Sequence, residues 1–379
     1  MKYSMQTASH SVVDEIERQR TELYYDIPSL ASTRSAFLAT PRVAFISRFK
    51  SSINSPWIDA GEDDSILTAI DSDRSLIIAG NHFTTSTSSQ PSLVWLMLDL
   101  LCIEVGMAVY EIGTGSGWST ALAAHLVGQS GVVYSSEVES SLALAASARM
   151  QKFGLSQIKI KCTAGDFDWA DRDADRVIYT TSTFSPHETT IERSSANSRA
   201  IFIFQRIGLS DAIISARREG NSFVSEQIVP CYFLPMRKYS EQPFTEDVNE
   251  DEVRAQDYRL IEVNRHRSFF ISDFAHWLRM NWNDLTGIRE VALRSSRYHS
   301  SLVSNSSSGC IRLLQDCIDV IGDFDKVDCV RSWLRQWMSD GAPSVLDYKF
   351  TISRPVHYVV PPSGTEFRNN WLFTWSRVR

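Results

Sequence analysis

The 379-residue chain has no C-x-x-C pair, no apolar leader and no surplus of positive charge. Its six cysteines (Cys102, Cys162, Cys231, Cys310, Cys317 and Cys329) are scattered. That spacing suits neither a zinc site nor a disulfide framework, so no metal is expected and the thiols read as buried and reduced. Lys and Arg number 38 against 45 Asp and Glu, a net charge of −7. Nucleic acids and anionic membranes are gripped by clustered Lys and Arg, so neither is an expected partner. Residues 1–10 are polar and lack the hydrophobic run of a secretory signal. The most apolar stretch, 93–112, is interrupted by Asp99 and Glu104, each of which costs a few kcal/mol at a bilayer centre. Gly106 divides it into a helix-like and a strand-like half. A cytoplasmic protein is expected.

What is present is apolar material for packed cores, 43% of residues with 11% aromatic. A single core stops growing at roughly 250–300 residues, so one large domain with a smaller second unit is the natural arrangement. Val12, Ile16, Gln19 and Leu23 recur at helical spacing, and residues 35–38 continue helical until Pro41. The Ser- and Asp-rich segment 72–91 reads as a solvent-facing loop. Helices over 92–101, 118–126 and 142–153 then alternate with strands over 108–112, 132–135, 158–161 and 176–179. Such alternation implies βαβ units and a parallel sheet. Further strands read at 200–204 and 211–216, with 223–235 closing that half. The polar, acidic stretch 239–257 is the linker candidate. Beyond it, 269–282 is aromatic-rich and 304–309 is a Ser-rich loop. Ile311, Leu314, Cys317 and Ile318 suggest one helix face, and Val327, Val330, Trp333, Leu334 and Trp337 a second. Strands over 348–352, 357–360 and 371–375 finish the chain. The expected organisation is a helical and substrate-loop region at 1–80, a ligand-binding α/β domain at 81–238, a linker at 239–257 and an α+β domain at 258–379.

The strongest local signal is Val109-Tyr110-Glu111-Ile112-Gly113-Thr114-Gly115-Ser116-Gly117-Trp118. A hydrophobic strand runs into glycines and then a helix, a turn that lets a ligand approach the backbone and meet helix N–H groups. A dinucleotide fingerprint needs G-x-G-x-x-G; here the third glycine comes one residue early, and Trp118 stands where that fingerprint wants Gly or Ala. The acidic Glu111 before the first glycine is instead typical of S-adenosylmethionine sites. About twenty residues past Gly117 the next strand ends at Glu137, where a carboxylate can accept both ribose hydroxyls. Asp166, with Phe167 beside it, follows a strand at the sheet's carboxyl edge, where a side chain can meet an adenine amino group. Read alone, Asp166 equally suits an Asx turn.

Together with Thr87-Ser88-Ser89-Gln90-Pro91, these segments resemble the protein-L-isoaspartate O-methyltransferase family. That family carries a T-I-S-Q-P-like element before a helix leading into E-I-G-T-G-S-G-Y. Its V-P-R-x-x-F element is similar to Thr40-Pro41-Arg42-Val43-Ala44-Phe45, its V-Y-S-x-E to Tyr134-Ser135-Ser136-Glu137, and its G-D to Gly165-Asp166. The resemblance runs from about residue 35 to 237. Three features depart from it: 81–86 lacks the glycine-rich lead-in, Phe167 replaces a glycine, and Asn197-Ser198-Arg199 replaces a G-G-R turn. The tail, with Ser332-Trp333-Leu334-Arg335-Gln336-Trp337, looks like that of a divergent branch accompanying ribosomally made, modified peptides such as lanthipeptides and graspetides.

The resemblance implies a doubly wound, Rossmann-like α/β methyltransferase that uses S-adenosylmethionine and esterifies an aspartyl or isoaspartyl side chain. It implies cofactor contacts from Glu111, Gly113, Thr114, Gly115, Ser116, Gly117, Glu137, Asp166 and Phe167. Ser89 is expected to hydrogen-bond the accepting carboxylate, with Thr87, Ser88, Gln90 and His82 on the substrate. Ser89 read alone also suits a helix cap. His125 reads as a core or edge residue, and Trp333 and Trp337 as second-domain core. A carboxylate is ionised at neutral pH, so transfer needs alignment rather than a general base. Three readings stay open: tailoring of a dedicated precursor peptide, housekeeping repair of damaged proteins, and a silent peptide-binding relative.

Overall fold

The computed structural model describes residues 8–61, 63–80, 85–207, 210–231, 233–234, 236, 258–262, 274, 277–278, 288–292, 300–304, 310–313, 317–321, 326–354, 365–368 and 370–378. The chain divides into two compact units, one of residues 1–203, 215–221 and 233–240, the other of 204–214, 222–232 and 241–379. The N-terminal region thus belongs to the same unit as the glycine loop. Residues 204–214 and 222–232, expected in the methyltransferase domain, belong to the second unit. The linker candidate 239–257 lies outside the described residues, as do most of 269–282, all of 305–309 and the expected strand at 357–360.

In the first unit, α1 (His10–Leu23) and α2 (Ala31–Ala39) precede a small β1–β2 pair (Arg48–Phe49, Ile58–Asp59) and α3 (Asp64–Asp71). The segment expected to be a loop at 72–91 is instead a hairpin, β3 (Leu76–Ala79) against β4 (Ser86–Ser88). Leu76 and Ile77 are buried in it, and Ile46, Phe49 and Ile70 cluster against Leu76. This short apolar run gains its strand partner from nonlocal packing, which composition does not reveal.

Helix α4 (Pro91–Leu101) leads into β5 (Ala108–Ile112), and Gly106 turns between them at φ +88°. Every residue of α4 is buried. The carboxylate of Asp99 is tolerated there because Arg20 of α1 meets it at 2.9 Å and the Leu30 N–H donates to it at 3.1 Å. Burial nonetheless pushes Asp99 up to about 6. The apolar stretch 93–112 is therefore a core helix and a core strand. Among the described residues, no helix is long and apolar enough to cross a membrane.

Then follow α5 (Trp118–Val127), β6 (Val132–Glu137), α6 (Ser140–Lys152), β7 (Ile158–Cys162), β8 (Ala174–Tyr179), the short α7 (Thr189–Glu192) and β9 (Ser194–Ile207). The strands pair in parallel in the order β9, β8, β5, β6, β7. Central β5 and β6 are buried along their whole length, as a sheet covered on both faces requires. Their carboxyl ends lie in register, with Ile112 opposite Ser136 and Tyr179, so the loops after β5, β6 and β8 converge at one edge.

The long β10 (Ser210–Glu219) and β11 (Ser222–Cys231) come next. The second unit contains an antiparallel sheet of β12 (Tyr258–Glu262), β16 (Cys317–Ile321), β15 (Cys310–Leu313), β14 (Ser300–Ser304) and β13 (Ile288–Ala292). Of the helix expected over 311–318, residues 311–313 and 317–318 instead belong to two strands, with Ile311 opposite Val320. Short apolar runs carry no decisive period. Helix α8 (Val327–Ser339) has the expected spacing and buries Val330, Leu334 and Trp337, whereas Trp333 is half-exposed. β17 (Tyr348–Ser353) pairs with β11 and with β19 (Trp371–Arg377), which pairs in turn with β18 (Thr365–Arg368). The thiols do not all follow expectation, since Cys231 is buried but Cys162 and Cys329 are exposed.

Candidate active site

A cavity of roughly 910 Å³, counting its open mouth, lies at the carboxyl edge of the parallel sheet within the first unit. One wall is the glycine loop. Gly113 and Gly115 stand at φ +105° and +54°, conformations that side chains rarely adopt. A Cβ on Gly113 would come 2.5 Å from Thr180 Oγ1, whose hydroxyl donates to the Ile112 and Gly113 carbonyls. Glycine is therefore required for the loop to fold back over β8. Gly113, Thr114, Gly115 and Ser116 all line the cavity.

Glu137 ends β6 and faces this loop. One carboxylate oxygen accepts the Gly115 N–H at 2.9 Å and the other the Glu139 N–H at 3.0 Å. Each oxygen keeps a lone pair for a further donor, which fits a ribose diol. Among the described lining residues, Glu137 is the one ionisable side chain. The glycine cradle and this carboxylate fit S-adenosylmethionine.

Glu111 serves differently from its expected role. It is 1% exposed and does not line the cavity. It accepts hydroxyls from Ser119 (2.5 Å), Ser135 (2.6 Å) and Thr120, tying β5 to the first turn of α5 and to β6. Burial raises its pKa and the three hydroxyls oppose the rise. Its place is behind the loop, holding it. Gly117 is also away from the cavity; a Cβ there would meet Met150 Cε at 2.3 Å, so its role is close packing of α5 on α6. Asp166 accepts from the Asp168 N–H at 2.8 Å, the Asx turn, and Phe167 stacks on Tyr110 at 4.3 Å. The cavity wall there is Thr163, Ala164 and Gly165 instead.

The opposite wall is β4 and the residue after it: Ser86, Thr87, Ser88 and Ser89. Ser86 Oγ lies 3.4 Å from where a Cβ on Gly115 would stand, so the two walls face each other closely. Gln90, expected on the substrate, does not line the cavity and donates to Asp73 at 2.8 Å. Asp73 also accepts the Ser92 N–H (2.7 Å) and hydroxyl (2.8 Å), fixing the start of α4. His82 lies outside the described residues. His125 is exposed on α5 and is not among the lining residues.

Arg42, part of a motif but given no expected role, organises this wall. It is 3% exposed. Its guanidinium donates to the carbonyls of Ile70, Ser72, Arg74, Ser88 and Ser89 and to Ser88 Oγ, at 2.9–3.2 Å. Burial pulls it down to about 9, while Asp71 and Asp73 hold it up, so it is charged at neutral pH. It also lies 5.4 Å from the Trp118 ring, whose Nε1 donates to Thr40 O at 2.9 Å. Arg42 and the backbone around it thus bridge β4 and the first residue of α5. Nothing in local periodicity marks a buried arginine; the Pro41-Arg42 motif is its only trace in the chain. Among the described residues, no cluster of His, Cys, Asp or Glu could hold a metal ion.

A solved protein-L-isoaspartate O-methyltransferase shares this fold over 90% of the chain and 96% of its own length, with a TM-score of 0.53 at 20% identity. Fold and cavity together define a Rossmann-like, S-adenosylmethionine-dependent methyltransferase. The model of the protein-L-isoaspartate(D-aspartate) O-methyltransferase family matches residues 31–239. Protein-L-isoaspartate O-methyltransferase 2 of Polaromonas sp. is 32% identical over 157 residues, 40% of this chain and 71% of that one. The protein-L-isoaspartate O-methyltransferase of Syntrophotalea carbinolica is 30% identical over 152 residues, 40% and 68% of the two chains. The chain belongs to the protein-L-isoaspartate(D-aspartate) O-methyltransferase family and is a carboxyl O-methyltransferase.

Proposed function

We propose that the chain esterifies an aspartyl or isoaspartyl side chain of a peptide, and that the ester then closes to a succinimide. The observation that carries this reading is the composition of the cavity. It offers hydroxyls on one wall, a glycine turn and one carboxylate on the other, and no lysine, arginine or histidine among the described lining residues. An acceptor that needs deprotonation would want a base; an ionised carboxylate wants only donors that hold it in line.

S-adenosylmethionine supplies an electrophilic methyl group on a sulfonium. Glu137, oriented by the Gly115 N–H, would hold the cofactor by its ribose hydroxyls, and Ser89 would donate its hydroxyl to the acceptor carboxylate. With that group bound, the carboxylate oxygen would take the methyl carbon as the carbon–sulfur bond breaks, leaving a neutral ester and a neutral thioether. Opposite charges vanish together, so exclusion of water favours the step. The backbone nitrogen of the next residue then attacks the ester carbonyl and expels methoxide, which takes the amide proton and leaves as methanol. That closure needs no side chain of the enzyme.

The finer reading is tailoring of a dedicated, ribosomally made precursor peptide in the cytoplasm, giving an aspartimide. Its support is the unit that extends past residue 239, which a dedicated enzyme can use for affinity. General repair is favoured by a different observation: the fold shared with a solved protein-L-isoaspartate O-methyltransferase reaches 90% of this chain, so a second unit is no mark of tailoring.

Mass spectrometry of an isoaspartyl peptide and its aspartyl twin, each at saturating concentration with S-adenosylmethionine, separates these. Ester on the isoaspartyl peptide alone supports repair, and ester on the aspartyl twin supports tailoring. No ester on either overturns the acceptor assignment, and no cofactor binding by calorimetry overturns the function altogether.

A further inference from the structure

Ser88 stands where the family's T-I-S-Q-P-like element has isoleucine, so a hydroxyl replaces an apolar side chain. On β4, Ser86 and Ser88 share the buried face, and both line the cavity. Ser88 Oγ receives a hydrogen bond from Arg42 Nε at 3.0 Å. A guanidinium nitrogen can only donate, so the Ser88 oxygen is the acceptor and its own proton must go elsewhere. No acceptor for that proton is found among the described residues.

Arg42 has no freedom to release Ser88. Its Nη1 donates to Ile70 O and Ser72 O, and its Nη2 to Arg74 O, Ser88 O and Ser89 O. The guanidinium is thereby locked in one plane, and Ser88 Oγ is held on its edge. A hydroxyl pinned by a cation on one side and bordering a cavity on the other is a polarised donor aimed at whatever anion enters.

We infer that Ser88 is a second hydroxyl donor to the acceptor carboxylate, with Arg42 as the positioning residue that orients it. This rests on the assignment of this wall to the acceptor. The arginine charge reaches the carboxylate through a neutral hydroxyl, not by direct ion pairing, so the attacking oxygen keeps its electron density. An isoleucine at this position offers no donor.

The test uses the full chain with the variants Ser88→Ala, Ser88→Thr and Arg42→Lys. Initial rates of ester formation are measured on the isoaspartyl peptide and its aspartyl twin, and cofactor affinity by calorimetry. Ser88→Ala is expected to lower peptide kcat/KM by about tenfold or more, as for a lost hydrogen bond to a charged group, with cofactor affinity unchanged. Ser88→Thr, which keeps the hydroxyl, should recover most of the rate. Arg42→Lys should lower the rate similarly, and adding Ser88→Ala to it should cost little more, because both changes remove one oriented donor. Wild-type kcat/KM in Ser88→Ala overturns the role, as does an equal fall in cofactor affinity, which would mark a structural serine. If Arg42→Lys fails to fold, the Ser88 pair decides. Wild-type enzyme that esterifies neither peptide overturns the acceptor assignment itself, a failure visible before any variant is made.

Discussion

The wall of the cavity that we assign to the cofactor is a turn that only glycine permits, facing the Glu137 carboxylate; the wall that we assign to the acceptor carries hydroxyls of a three-residue strand, held by one buried arginine. The first wall draws its parts from one stretch, 111–120, plus Glu137 at the end of the next strand. The second is assembled from Arg42, Asp73 and Ser86–Ser89, contributed by a 3-10 turn, a loop and a hairpin. A backbone turn is specified by its own residues, whereas a side-chain bracket depends on nonlocal packing. The two walls should therefore fail in different ways.

The largest effect is expected from Arg42→Met. It leaves five carbonyls and a hydroxyl without their donor in a buried place, and should cost about 3–5 kcal/mol of stability. Denaturant unfolding checks this, and an unchanged midpoint would remove Arg42 as the bracket of the acceptor wall. Next is Gly113→Ala, where the added carbon meets Thr180 Oγ1 at 2.5 Å on a backbone with φ +105°. Cofactor affinity by calorimetry should fall by about a hundredfold.

Glu137→Ala should weaken cofactor binding by about tenfold to a hundredfold, since it removes the diol acceptor and the partner of the Gly115 N–H. Peptide KM should change little, and an unaltered cofactor Kd would take the ribose role from Glu137. Ser89→Ala is the converse, with turnover lower by about tenfold and cofactor Kd intact. If both variants moved both constants alike, the division of the cavity into two walls would be lost. Smallest is Asp73→Asn, which keeps the shape beside Gln90 and Ser92 but weakens their hydrogen bonds; peptide kcat/KM should fall by only about threefold.

Much of the cofactor wall was legible in the chain. The run from Glu111 to Trp118 announced strand, turn and helix, and Glu137 fell at the end of the next strand as a parallel βαβ unit requires. What could not be read there was which motif residues face the ligand. Glu111, Gly117, Asp166 and Phe167 all belong to the motif, yet they hold the loop, pack the helix, cap a turn and stack on Tyr110. The hairpin at 76–88 was hidden because a Ser- and Asp-rich composition reads as loop until a partner buries Leu76 and Ile77. In the second unit the paired strands around Ile311 and Ile318 were too short to show a period, whereas α8 was long enough.

By itself the sequence determined the βαβ alternation, the glycine turn and the carboxylate that follows it, because these depend on backbone conformation and on spacing within about thirty residues. Only the tertiary structure decided that Gln90 turns to Asp73, that Arg42 brackets Ser88 and Ser89, and that Glu111 lies behind the loop. Each of these rests on where a buried polar group finds its hydrogen-bond partner, and such partners are chosen by packing across the fold rather than by neighbours along the chain.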